Sequence, residues 1–200
     1  MTILPTFSLD PRTRRRAFML LAVATAQLLL SRASNAQTSQ PAATPPPIPH
    51  PCNTSPEAKQ FDFWIGQWDV TPWKIAAPSA AQKLGFNDVH PMLEHCVISE
   101  NWKGARGVEG KSMNYYDPNL HKWRQIWVDE TWGVLDYTGE FRDGAMRFLG
   151  WTLDAKGSRV EQKLTFFAIA SDTVRQLFET SADGGTTWVP NFDGRYVKRR

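Results

Sequence analysis

The segment Phe61-Asp62-Phe63-Trp64-Ile65-Gly66-Gln67-Trp68-Asp69-Val70 decides the fold of this chain. β character begins at its glycine, and we predict a first strand over 66–73. Just before the segment, Pro56 and Glu57 favour a short helical turn that ends near Gln60. The sequence therefore predicts that the folded domain starts at residue 57 with one helical turn and continues as strands.

Runs rich in Val, Ile, Thr and aromatic residues recur every 10–14 residues after this segment, separated by Gly, Asp, Asn or Pro. The predicted strands are 66–73, 93–102, 110–116, 122–129, 134–141, 145–153, 159–169, 173–180, 186–191 and 195–199. Their connections are short and hairpin-like, and no long helical period interrupts them. An all-β, antiparallel up-and-down barrel of about ten strands follows, because closure removes exposed sheet edges. Residues 75–91 are the exception, predicted as a loop that could form a lid.

The N-terminal part of the chain has the pattern of an export signal. Four arginines between residues 12 and 16 precede an apolar run over 17–30 and a small-residue cleavage pattern at Ser34-Asn35-Ala36. We predict a signal peptide over 1–36, resembling the twin-arginine type, with an ordinary secretory leader or an uncleaved anchor as alternatives. Residues 37–56 are proline-rich and are predicted to be an extended linker. The domain over 57–200 would then be periplasmic or secreted.

Removal of residues 1–36 changes the charge of the protein. These residues hold five of the 23 basic and one of the 20 acidic residues, which leaves 18 basic and 19 acidic residues. The basic character therefore belongs to the leader. Nothing in the remaining sequence predicts nucleic acid as a partner, or stable membrane insertion after the leader is removed.

The two cysteines, Cys52 and Cys96, predict a disulfide bond, because an even pair in an oxidising compartment usually bridges. A reactive thiol or a metal ligand is the alternative, although neither cysteine lies in a C-x-x-C pattern. The bridge would tie the N-terminal segment to an early strand.

Alternation along the predicted strands places polar and aromatic side chains on common faces. On the strand over 122–129, Trp123 and Trp127 flank Gln125, which is typical of a mostly apolar ligand cavity and equally of a core with one satisfied amide. The candidate ligand-binding residues on such faces are Trp102, Asn114, Tyr116, Gln125, Trp127 and Gln176. We predict a small, largely apolar molecule as the partner.

Glu100 is the candidate catalytic residue. It shares a strand face with Cys96 and Trp102, and a buried carboxyl beside Asn114 and Gln125 could act as a general acid or base. A shift of one residue in register would instead turn Glu100 to solvent, where glutamates usually lie.

Other motifs predict structure rather than chemistry. The histidines do not have a metal-ligand spacing, so the sequence predicts neither a metal nor a cofactor site. Residues 181–188 match one S-x-D-x-G-x-T-W "Asp box". Propellers repeat this motif, so we interpret the single copy as a hairpin turn in which Asp183 caps backbone N–H groups.

The chain resembles a known group of barrels. Gly66-Gln67-Trp68 is similar to the Gly-x-Trp signature that opens lipocalin-like (calycin) barrels, in which an Arg or Lys of the last strand packs across the tryptophan. The resemblance implies that Arg195 closes the floor against Trp68 and that both are structural residues. The FDFWIGxWDV block and several later motifs resemble a secreted bacterial family of uncharacterised function with a lipocalin- or nitrobindin-like barrel. Some calycin-like barrels hold haem, but no histidine here is singled out as its ligand.

These observations favour an exported β-barrel protein that binds a small apolar ligand in its cavity. Two alternatives stay open. One is an enzyme that uses Glu100 as acid or base in the cavity, and the other is an envelope interaction module with a filled core.

Overall fold

The computed structural model describes residues 46–75 and 82–200, so the predicted leader and residues 37–45 of the predicted linker lie outside the described residues. Ten antiparallel strands close into one barrel in the order β1-β10-β9-β8-β7-β6-β5-β4-β3-β2, as predicted. The strands are β1 Gly66–Pro72, β2 Gly85–Met92, β3 Val97–Gly104, β4 Glu109–Asp117, β5 Lys122–Asp129, β6 Val134–Arg142, β7 Ala145–Leu153, β8 Arg159–Ala170, β9 Thr173–Ser181 and β10 Val189–Lys198. The helices found in the described ranges are too short and too polar to cross a membrane.

The first and last strands pair along their length, from Trp68 opposite Lys198 to Pro72 opposite Gly194. The cation over the Trp68 ring is Lys198, with its Nζ 5.5 Å from the ring centre. Arg195 instead lies 4.9 Å over the ring of Trp73 and donates to its carbonyl oxygen. The difference from the expected contact follows from alternation, because Arg195 and the buried Tyr196 point to opposite faces of β10.

Two predicted strand boundaries were wrong at the start of the sheet. Residues 85–91, predicted as part of a loop or lid, form most of β2, and the strand predicted from residue 93 begins at Val97. Leu93, Glu94 and His95 have φ values of 50°, 52° and 70°, so they form the turn between the two strands. Gly85 belongs in β2 because a Cβ there would lie 2.6 Å from the Trp102 ring. The glycine thus marks close packing, not a break in the strand.

The last two predicted strands form one continuous strand. β10 runs from Val189 to Lys198 and pairs with β9 throughout, with a register shift between Pro190 and Phe192. The break predicted at residues 192–194 is wrong, since these residues pair with β9, and the irregularity lies just before them at Pro190, which cannot donate a ladder hydrogen bond. The preceding Asp box is a turn, as predicted, in which Asp183 accepts a hydrogen bond from the Thr187 backbone N–H.

Residues 51–64 cover one end of the barrel, which we call the closed end. They form three short 3₁₀ turns, Pro51–Asn53, Glu57–Lys59 and Asp62–Trp64. Phe61 and Trp64 are fully buried and stack on each other with ring centres 4.9 Å apart. The Cys52–Cys96 disulfide is present, as predicted, with 4.9 Å between the Cα atoms. The bridge fastens the first turn to the residue that precedes β3.

Candidate functional site

A cavity of about 250 Å³ lies inside the barrel at the opposite end, which we call the open end. Its lining residues are Glu100, Trp102, Gln125, Trp127, Leu135, Tyr137, Leu164, Gln176, Phe178, Phe192 and Tyr196. They come from β3, β5, β6, β8, β9 and β10, because every second residue of each strand points inward. Several of the aromatic side chains are only half-buried, so the cavity is accessible from solvent.

Two tryptophans of the cavity wall pack where glycines leave room on a neighbouring strand. Trp102 lies against Gly85 of β2, and Trp127 lies against Gly110 of β4, where a Cβ would come within 2.2 Å of the ring. Trp102 also meets the edge of the Phe192 ring, with 6.1 Å between the ring centres. Neither glycine can be replaced without moving a tryptophan, so the sequence fixes the width of the cavity at these two points.

Asp129 fixes the orientation of Trp127. The indole Nε1–H of Trp127 donates to Asp129 Oδ2 at 3.0 Å. The other oxygen of Asp129 accepts from the backbone N–H groups of Thr131 and Gly133. Burial by itself would raise the pKa of Asp129, but these hydrogen bonds outweigh it and lower the pKa to about 2. The turn after β5 therefore presents a permanent anion that anchors one wall of the cavity.

Glu100 lies at the inner boundary of the cavity and is only 3% exposed. Its Oε1 accepts a hydrogen bond from Asn87 Nδ2 at 2.9 Å, and its Oε2 accepts from Ser112 Oγ at 2.7 Å. Burial raises the pKa of Glu100 to about 7, and the two hydrogen bonds only partly offset this effect. The carboxyl is thus close to half-ionised at neutral pH, in an interior position.

A chain of hydrogen bonds connects Glu100 to Gln125. Asn114 Nδ2 donates to the Ile98 carbonyl oxygen at 3.0 Å and to Ser112 Oγ at 2.9 Å. Gln125 Nε2 in turn donates to Asn114 Oδ1 at 2.6 Å. A backbone carbonyl can only accept, so Ile98 fixes the direction of every later bond. Ser112 must therefore use its hydroxyl proton on Glu100, and Gln125 turns its amide oxygen away from Asn114.

A second polar pair completes the cavity. The Tyr196 hydroxyl donates to Gln176 Oε1, and burial, together with the nearby Glu100 charge, raises the pKa of Tyr196 well above its usual value. Tyr137 is fully buried, and its hydroxyl has no hydrogen-bond partner within residues 46–75 and 82–200. Burial raises the pKa of Tyr137 too, so both phenols stay neutral at physiological pH.

The structure brings four of the six candidate ligand-binding residues together around this cavity: Trp102, Gln125, Trp127 and Gln176. Asn114 lies behind them as a link in the hydrogen-bond chain. Tyr116 lies at the closed end, where its ring packs against Trp123 at 6.2 Å, so it is not part of the same cavity. It lines a separate hollow of about 260 Å³ beside the disulfide, His95 and His121.

Sequence reasoning missed other residues of the cavity. Leu135, Tyr137, Leu164, Phe178 and Phe192 lie on inward faces that alternation alone could have identified. Asn87 was missed because its segment was predicted as a loop, although it is fully buried and bonded to Glu100. In the part of the chain that the structure describes, no three His, Cys, Asp or Glu side chains are grouped to hold a metal ion.

Comparison with known proteins does not assign the chain to a family. No family model matches the sequence, and no curated protein is significantly similar to it. The function must therefore be argued from the cavity itself.

Proposed function

We propose that this protein is exported and binds a small, largely apolar ligand in the cavity at the open end of its barrel. The observation that carries the proposal is the make-up of this cavity: side chains from six strands surround about 250 Å³ of space at the open end, whereas the hollow of similar size at the closed end is lined mainly by residues 51–58, the disulfide and the turns at His95 and His121. This volume is close to the lower limit of about 300 Å³ for common ligand sites, so the ligand is small.

Two further observations support export. The disulfide between Cys52 and Cys96 is typical of oxidising compartments, and the leader pattern precedes the barrel in the sequence. The closed barrel also agrees with the resemblance to secreted calycin-like proteins, which is a fold-level argument only. The interaction module with a filled core has less support, because the open end of the barrel is not filled.

Binding can be tested with 2-naphthalenemethanol, a neutral bicyclic aromatic compound, by isothermal titration calorimetry. Saturable binding is expected for the wild-type protein. Leu135→Trp adds an indole on the inward face of β6 and should abolish binding by filling the cavity. The matched control is Val134→Trp, which adds the same group at the exposed neighbouring position. Binding that is absent in wild type, or unchanged in Leu135→Trp, would contradict the proposal.

A second candidate function is catalysis by Glu100. Its buried carboxyl has a pKa of about 7, which suits a general acid or base at neutral pH. Any reaction catalysed in this cavity should then depend on pH with an apparent pKa near 7. It should also be lost in Glu100→Gln, whereas persistence of the activity in that variant would exclude the role.

A further inference from the structure

The cavity lining contains an acidic side chain but no basic one. Glu100 is the only lining residue that can carry a charge near neutral pH, and none of the lining residues is Lys, Arg or His. The groups that face its carboxyl are Asn87 from β2 and Ser112 from β4, with Tyr196 of β10 near enough to interact electrostatically. All three are neutral, so within residues 46–75 and 82–200 no counter-ion faces an ionised Glu100.

Hydrogen bonds at the inner boundary of the cavity use most of the donors that lie next to Glu100. The amide protons of Asn114 and the hydroxyl proton of Ser112 are used inside the chain that begins at the Ile98 carbonyl. Gln125 uses one of its two amide protons on Asn114, and its Oε1 accepts no hydrogen bond from the described residues. Beside Glu100 the cavity therefore offers two acceptors, the Glu100 carboxylate and the Gln125 amide oxygen, which suit a ligand group that brings donors. The donors that remain in the lining are the Tyr137 hydroxyl and the Gln176 amide nitrogen.

The walls above this boundary are aromatic. Trp102, Trp127, Tyr137, Phe178, Phe192 and Tyr196 surround the space. The face of an aromatic ring attracts a cation, and most strongly so where water is excluded. The same rings pack equally well around an apolar group, so they suit a ligand that combines both features.

We propose that the ligand is an organic cation, a protonated amine on a small apolar body, whose ammonium group pairs with Glu100 and donates to Gln125 while the apolar part lies among the aromatic rings. This inference rests on the proposed function and names the ligand class for the same cavity. An anion is disfavoured, because it would meet the Glu100 charge with no cation to offset the repulsion. A neutral ligand would leave the charge of an ionised Glu100 unpaired in the interior, whereas an ammonium group offsets it.

Binding of an amine should depend on pH through the protonation of Glu100. An ammonium group beside Glu100 favours the ionised carboxylate, so below the pKa of about 7 binding must expel the carboxyl proton. The affinity for an amine should therefore be highest above pH 7 and fall by about tenfold for each pH unit below it. The amine itself stays protonated over this range, because alkylammonium groups titrate near pH 10.

Three compounds with one ring system test the charge preference: 2-naphthylmethylamine as the cation, 2-naphthalenemethanol as the neutral form and 2-naphthoate as the anion. At pH 8, calorimetry should show the amine binding about 30-fold more tightly than the alcohol, and the anion most weakly. Glu100→Gln should remove this preference, so that the ratio of the affinities for the amine and the alcohol falls to near one. Glu109→Gln is the matched control, since it removes an exposed carboxylate of β4 that is paired with Lys103 outside the cavity.

A measurement on the wild-type protein makes the test independent of whether Glu100→Gln folds. Titration of the amine in two buffers with different ionisation enthalpies gives the number of protons released. Close to one proton per ligand is expected at pH 6 and almost none at pH 8. The inference is overturned if the alcohol binds as tightly as the amine, or if no proton is released at pH 6. Failure of the proposed function would differ from both results, since none of the three compounds would then bind in a way that Leu135→Trp blocks.

Discussion

The two ends of the barrel use the same kinds of residues for different purposes. β5 shows this within four residues, because Trp123 lies at the closed end and Trp127 at the open end. The Trp123 indole donates to Gln60, packs against Phe61 and is 2% exposed. The Trp127 indole donates to Asp129 and faces the cavity. What differs is the neighbourhood: residues 51–64 fill the closed end, whereas no segment within the described ranges fills the cavity at the open end.

Together with the proposed function, this difference predicts that stability and ligand binding depend on opposite ends of the barrel. The closed end is almost entirely apolar, with Phe61 touching the rings of Phe63, Trp64, Trp123, Phe148 and Phe166. The open end contains the buried carboxyl and amides, which cost free energy unless they are satisfied. Substitutions at the closed end should therefore change the free energy of unfolding, and those at the open end should change affinity.

The largest effect is expected for Phe61→Ala, compared with Phe192→Ala at the open end. Removal of the fully buried Phe61 ring should lower the free energy of unfolding by about 5 kcal/mol, because it leaves a cavity among five rings. Phe192 is half-buried, so its removal should cost about 1–2 kcal/mol but weaken ligand binding. Urea denaturation and calorimetry measure the two quantities. Equal losses of stability in both variants would contradict the separation of the two ends.

The disulfide should give the next largest effect. The double variant Cys52→Ser/Cys96→Ser releases the cap of the closed end and should lower the free energy of unfolding by about 4 kcal/mol, from the loop entropy of a 44-residue separation. Binding of 2-naphthalenemethanol at low temperature should persist, because neither cysteine lines the cavity. Loss of binding in a variant that is still folded would show that the cap also shapes the open end.

Glu100 should make the stability of the protein depend on pH in a particular direction. Its pKa is about 7 in the folded protein against 4.5 as the reference value, so the folded state holds the extra proton between these pH values. The free energy of unfolding should therefore fall as pH rises from about 4.5 to above 7, by about 3 kcal/mol in total. Asp129, with a pKa of about 2, stays ionised throughout this range.

The measurement is the difference in free energy of unfolding between wild type and Glu100→Gln at several pH values. Subtraction of the variant removes the contribution of the other titrating groups. The difference should shift in favour of Glu100→Gln with rising pH. A difference that does not change with pH would show that the Glu100 carboxyl is better solvated than its position indicates.

The sequence predicted which side chains share a strand face better than it predicted the height of each side chain along the barrel axis. A period of two residues is enough to place Glu100 and Trp102 on one face of β3, and Gln125 and Trp127 on one face of β5. It does not tell at which height each residue lies, since the height depends on the stagger of all ten strands and on which end the N-terminal segment covers. Tyr116 shares the inward face of Asn114 but lies at the closed end for this reason.

The missed strand has a different physical cause. Gly85 and Pro91 in β2 are residues that normally interrupt strands, and only the tertiary contact with Trp102 explains the glycine. Pro91 is exposed near the end of the strand, where a missing N–H is tolerated. The expected contact between Arg195 and Trp68 is wrong because Arg195 points to the outer face of β10. Lys198 lies on the inward face with Tyr196 and contacts Trp68 instead. Local patterns cannot distinguish these cases without the register of the partner strand.

The smallest effect, and the sharpest test of the open end, concerns the anchor of Trp127. Asp129→Asn keeps the size of the side chain but removes the charge and one of the acceptors that hold the indole and the turn. We expect the loss of about 1 kcal/mol of binding free energy, or roughly fivefold in affinity, because Trp127 becomes free to leave its position.

The control is Asp154→Asn in the turn after β7, at the same end of the barrel. Asp154 accepts from the backbone N–H groups of Lys156 and Ser158 and from no tryptophan. If both variants weaken binding equally, the cause is a general loss of order in the turns at the open end. If only Asp129→Asn weakens binding, the position of the Trp127 indole determines the affinity.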